Sequence, residues 1–260
     1  MDQKEFTKQQ QEATHLVEDG VRNAVTILSQ EIVSQEANSQ KILPKKAYAE
    51  RVHKEIQRDV EAFKHRIEKG SLELFKAVQE VAKNQPHLFT DEVHQDIAKL
   101  TDLAAVALQL LERYFYAFPE DNNVQEICQI SDATINVLYL AAKHLYDQQH
   151  YEEAACAFQV LTLINDKQPF FWLVLGNCEF FCHRYQPALV AYALAGYNDP
   201  FDPTSFLYSC KCYEELGETE NAINSLDLAL IAIGDDKTQA SLKQKIQLER
   251  QRLMIQGEQR

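Results

Sequence analysis

The chain has 260 residues, only 7 glycines and 7 prolines, and 26 Lys plus Arg against 39 Asp plus Glu, a net charge of −13. That length can build one large or two modest domains, and the scarcity of Gly and Pro argues for helices over strands and turns. The acidic balance is shared, 16 basic against 22 acidic residues up to 130 and 10 against 17 beyond it, so neither half offers the basic footprint that nucleic acid or an anionic membrane requires.

Six cysteines, Cys128, Cys156, Cys178, Cys182, Cys210 and Cys212, fall inside amphipathic stretches without the regular framework of a small secreted domain. They are read as reduced cytosolic thiols. The N-terminal stretch has no apolar run of signal-peptide type, and no segment approaches the roughly 20 apolar residues of a membrane-spanning helix, so a soluble, unexported protein is expected.

In chain order, Leu16, Val21, Val25, Leu28 and Ile32 form the single stripe of an amphipathic helix over 16–32. A second stripe follows Pro44, through Tyr48, Val52, Ile56, Val60, Phe63 and Ile67. Gly70 and Ser71 then read as a helix stop and a new N-cap, with a short third helix beyond them. Thr90 is placed to cap a fourth helix whose apolar positions run from Val93, Ile97 and Leu100 to Ala104, Ala107, Leu111 and Tyr114. The break at 118–123, "FPEDNN", suggests a boundary between a helical N-terminal region, 1–125, and a second domain, 131–260.

Beyond that break the sequence repeats with a period of 34. Large apolar residues recur at Leu138, Trp172 and Phe206, and small ones at Ala142, Gly176 and Cys210. Alanine recurs at Ala154, Ala188 and Ala222, followed four residues later by Phe158, Tyr192 and Leu226. A helical hairpin satisfies every phase: helix A carries the large residue, and the small residues mark where helix B crosses close to it. The expected fold is all-α, a tetratricopeptide-repeat superhelix of three repeats plus a C-terminal capping helix, preceded by an extended helical N-terminal region.

Trp172, Leu175 and Gly176 are expected inside the second hairpin. Other phases of the A helices point into the concave groove: Tyr139, Lys143 and Tyr146 from the first repeat, Phe170, Leu173, Asn177, Phe180 and Phe181 from the second, and Leu207, Lys211 and Glu214 from the third. This lining is aromatic and carries few charges, which suits an extended peptide held by several apolar anchors, with Tyr139, Tyr146, Leu173 and Phe181 the expected ones. The N-terminal region or the last helix covering the same surface is the alternative.

Here a family resemblance enters. The stretches "LYLAAKHLYDQQHYEEAACAFQVL", "PFFWLVLGNCEFFCHRYQPALVAYALAGYNDPFDP" and "YSCKCYEELGETENAINSLDLALIAI" resemble the tetratricopeptide chaperones of type III secretion translocators, the LcrH/SycD class. Tyr139, Tyr146, Tyr151, Phe170, Phe171, Gly176, Tyr185, Ala188, Tyr192, Gly217, Glu218 and Ala222 carry it, over about residues 133–255. Lys143 stands where the family tends to have an apolar ring, Gln149 replaces its usual turn glycine, and the N-terminal region is far longer than its usual single helix. The resemblance implies a bacterial cytoplasmic holdase, often dimeric, that keeps an N-terminal segment of a membrane-inserting translocator soluble and fit for export. A tetratricopeptide interaction scaffold or a secreted effector is the alternative.

No P-loop, dinucleotide fingerprint, nucleophile elbow or HExxH stretch occurs, so no enzyme activity, cofactor or metal is expected. Cys178, Cys182 and His183 lie within one repeat, without the four-ligand spacing of structural zinc. A clamp for a C-terminal carboxylate would need Lys, Arg and Asn where Tyr139, Lys143, Val174, Thr204 and Tyr208 stand.

Overall fold

In the computed structural model the described residues are 45–100, 123–234 and 237–258. The stripe expected over 16–32, and the part of the fourth helix beyond Leu100, lie outside them. The described elements are helices, with no strand among them. α1 spans Lys45–Asn84, α2 Asp91–Leu100 and the short α3 Val124–Ile127; Asn123 caps α3 by accepting from the Glu126 N–H at 2.9 Å. Three hairpins follow: α4 (Asp132–Asp147) with α5 (Tyr151–Ile164), α6 (Pro169–Phe181) with α7 (Tyr185–Asn198), and α8 (Thr204–Glu215) with α9 (Thr219–Ile233). α10, Ala240–Glu258, closes the array against α9.

The repeat phases fill the core as their chemistry requires. Ala142, Ala154, Ala188 and Ala222 are fully buried, as are Phe158 and Tyr192, with Leu138, Cys210 and Leu226 nearly so. A Cβ on Gly176 would lie 2.4 Å from the Tyr192 ring, so glycine is what lets α7 cross α6 at this depth. Trp172 is half-buried, not enclosed. Its indole N–H donates to the Asp166 carbonyl at 2.7 Å, tying the start of α6 to the preceding loop, while Phe171 and Leu175 are the buried members of the "FFWLVL" run.

The hairpin turns share one backbone device. Gln149, His183 and Gly217, spaced by the repeat period, all take positive φ, at 63°, 58° and 74°. Each turn is closed by a bond five residues back, from His150 N to Leu145 O, Arg184 N to Glu179 O and Glu218 N to Tyr213 O. Only the third turn uses the residue that adopts this conformation without steric cost.

Gly70 does not end a helix. α1 is continuous for 40 residues, and a Cβ at Gly70 would lie 2.2 Å from the Cys156 carbonyl oxygen and 3.0 Å from Val160, so the glycine lets α1 press directly onto α5. Ile67, Leu74, Ala77, Val78 and Val81 of α1 enter the same core as Leu138, Phe158, Leu161 and Leu175. α2 docks at the start of α4 through Asp96, which is 2 % exposed. Its carboxylate accepts from the Ser131 N–H (2.9 Å), the Ser131 hydroxyl (2.8 Å), the Thr134 hydroxyl (2.9 Å) and Lys99 (2.7 Å). Burial pushes this carboxyl up, but the four hydrogen bonds outweigh it and hold the group well below the usual carboxylate range. Thr90 caps α2 as expected, accepting from the Val93 N–H at 3.3 Å.

Candidate peptide-binding groove

The A helices α4, α6 and α8 carry the residues expected to line the groove, and the structure gathers their rings into two patches. From the middle of α4, Tyr139 meets Phe170 at the start of α6 edge-on at 5.5 Å and Phe171 in a stacked arrangement at 6.4 Å. Near the ends of α4 and α6, Phe181 stacks on Tyr151 at 4.6 Å and lies 6.4 Å from Tyr146, while Phe180 meets Phe181 at 5.8 Å and Tyr185 at 5.5 Å. Such pairs are worth about 0.5–1.5 kcal/mol each beyond the area they bury, so each patch is a contiguous aromatic surface. Phe170 and Phe181 are each 46 % exposed, a level at which a large ring is still free to receive a partner.

Between the patches runs a polar row. Lys143 pairs with Asp147 one turn on, which raises its pKa and keeps it cationic. Asn177 is committed: its side-chain oxygen accepts from the buried Tyr192 hydroxyl at 2.8 Å. Lys211 is exposed and sits 5.1 Å from the Tyr208 ring, which in turn stacks on Tyr192 at 5.6 Å. Burial pushes the Tyr146 hydroxyl up to about 12, so it stays a neutral donor. Glu214 pairs with Arg252 of α10.

Leu173 and Phe180 are half-buried and pack on the cluster of Ala188, Leu189, Tyr192 and Cys212 at the junction of the second and third repeats, and Leu207 packs on the core of the third. They are wall as much as surface. Tyr151 and Tyr185, which begin the B helices α5 and α7, contribute rings that helix A phases could not supply, and Tyr208 of α8 adds another.

Behind the second patch lies Glu179, 2 % exposed, which bonds Arg184 at the turn into α7 and Arg66 of α1. Two guanidinium groups neutralise a carboxylate that would be costly to bury alone. α1 is thereby locked to the second repeat as well as the first. Burial pushes the Cys210 and Cys212 thiols up to about 12 and Cys178 further, which suits protonated core residues.

No family model matches the chain. Over 107 residues it is 30% identical to the low calcium response locus protein H of Yersinia pestis, a match covering 41% of this chain and 64% of that protein. The chain thus spans somewhat less than two thirds of the curated relatives it matches. Its fold is shared with a solved type III secretion complex from Aeromonas hydrophila, at 20% identity and a TM-score of 0.50, covering 54% of this chain and 93% of that one. The translocator chaperone SycD of Yersinia enterocolitica is also similar, at 24% identity and a TM-score of 0.47, covering 50% of this chain and 98% of its own. The repeat region therefore resembles the LcrH/SycD class in its sequence, and its fold is the tetratricopeptide superhelix. Among the described residues no helix is long and apolar enough to cross a membrane.

Proposed function

We propose that the protein is a bacterial cytoplasmic type III secretion chaperone that holds an extended apolar segment of a translocator against the A helices of its repeats and does no chemistry on it. The observation that carries this reading is the pair of half-exposed rings, Phe170 and Phe181, each set in a patch of aromatics. An extended strand advances about 3.3 Å per residue, so a few residues bridge the polar row between two such patches. Tyr139, Lys143, Tyr146, Phe170, Leu173, Asn177, Phe180, Phe181, Leu207 and Lys211 form the proposed surface, with Phe170, Phe181, Tyr139 and Tyr146 the anchors. Asn177 acts there through Tyr192, as a support. The sequence similarity to protein H supports the class, and dimerisation of the chain belongs to the same proposal.

The N-terminal region to residue 125 is, in this reading, a brace for the repeat domain 131–260, since α1 contributes to the repeat core and to the Glu179 cluster. The test is co-expression with a candidate translocator. Soluble complex should form with the native chain and be lost on Phe181→Glu without loss of helical content.

A further inference from the structure

The row between the two aromatic patches has a chemistry of its own. Residues 143, 177 and 211 are one repeat period apart, so Lys143, Asn177 and Lys211 stand at one height on α4, α6 and α8. On α6, at about 100° per residue, Phe170, Asn177 and Phe181 fall within about 40° of one line. A segment that touches both rings therefore passes over Asn177. That residue has only hydrogen-bond donors left to offer: its side-chain oxygen accepts from the Tyr192 hydroxyl, so the amide N–H groups remain, a role beyond supporting Tyr192. The same tyrosine joins Asn177 to Lys211, since Tyr192 stacks on Tyr208 at 5.6 Å and the Lys211 ammonium lies 5.1 Å from the Tyr208 ring. Lys211 is exposed, and no carboxylate among the described residues pairs with it. The two acids one turn further along α8 are engaged elsewhere: Glu214 pairs with Arg252 of α10, and Glu215 accepts from the Tyr185 hydroxyl at 3.4 Å. Donors without acceptors, one of them charged, complement an anion.

We propose that this is a carboxylate site: the segment held in the groove carries an Asp or Glu side chain between its two apolar anchors, bonded to the Lys211 ammonium and the Asn177 amide. The site presupposes the groove of the proposed function and adds the sign of charge that its client must carry. Phe170 and Phe181 lie roughly 16 Å apart along α6, which an extended strand crosses in about five residues, so the acid belongs within a gap of that length. Lys143 is the weaker claimant to the same acid, because Asp147 already pairs with it.

The probe is a library of random peptides displayed on phage with no free C-terminus, so that a terminal carboxylate cannot take the site. It is selected against the full native chain, Lys211→Met and Lys211→Glu, whose melting temperatures should match because Lys211 is exposed. The native chain should enrich peptides with two apolar residues about five positions apart and Asp or Glu between them. Lys211→Met should keep the apolar pair and lose the acid, and Lys211→Glu should replace the acid with Lys or Arg. For a selected peptide in solution, changing its central Asp to Asn should weaken binding to the native chain about tenfold and binding to Lys211→Met less than about twofold. Apolar pairs enriched without an acid, or an acid preference that survives Lys211→Met, would overturn the site and leave the groove standing. Selection of peptides without apolar pairs would overturn the groove, and the site with it.

Discussion

Gln149 and His183 hold a backbone conformation that costs a side-chain-bearing residue about 1 kcal/mol, at the phase where the third turn has Gly217. Gln149→Gly is therefore expected to stabilise the protein by about 0.5–1 kcal/mol, since Gln149 is exposed. The gain at His183 should be smaller, because its ring nitrogen lies 3.0 Å from the Tyr185 hydroxyl. Thermal midpoints of both variants check the ordering. Asp96 gives a prediction of opposite sign. Asp96→Asn weakens or breaks the bonds to Lys99, Ser131 and Thr134 and should cost about 2–3 kcal/mol. Because the folded-state pKa lies below the unfolded value near 3.9, this stabilisation is present above about pH 4 and fades as pH falls. The variant should lose part of the native protein's destabilisation between about pH 4 and 2, measured by denaturant unfolding across that range. Of these turns the sequence marked only Gln149, where the family resemblance expects a glycine; that His183 and Gly217 share its backbone emerges from the structure. The Asp96 cap was not marked, because no local pattern announces a carboxylate that serves a helix 35 residues away.

Between helices, the repeat phases translated almost residue for residue into burial, since small residues at fixed spacing have one geometric explanation. What failed was Gly70. A glycine followed by serine has the local signature of a stop, and only the approach of the Cys156 carbonyl shows that the missing Cβ serves a crossing. Gly70→Val should therefore lift α1 off α5 at a cost of about 2–3 kcal/mol, seen as a midpoint lowered by roughly 5–10 °C. If the glycine were only a helix breaker, the same change would raise helix stability instead. Ala188→Arg, at a position with no exposure, should unfold the second repeat at a cost of about 3 kcal/mol or more. An unchanged midpoint there would remove the repeat packing described above.

Across the molecule, the packing of the proposed surface was legible in part. Helix A phases indicated its aromatic character, yet they treated α6 as an isolated cylinder. Leu173 and Phe180 are drawn into the junction with α7 and α8, whose position no phase within α6 encodes. Substituting either would confuse binding with folding, whereas Phe170 and Phe181 stay half-exposed. The most direct measurement co-expresses Phe170→Glu and Phe181→Glu chains with the candidate translocator and scores soluble complex against each variant's own melting temperature. Each change should cost about 2 kcal/mol of binding, roughly thirtyfold in affinity, with the melting temperature nearly that of the native chain. Unaltered complex formation by both variants would show that the client is held somewhere other than the groove.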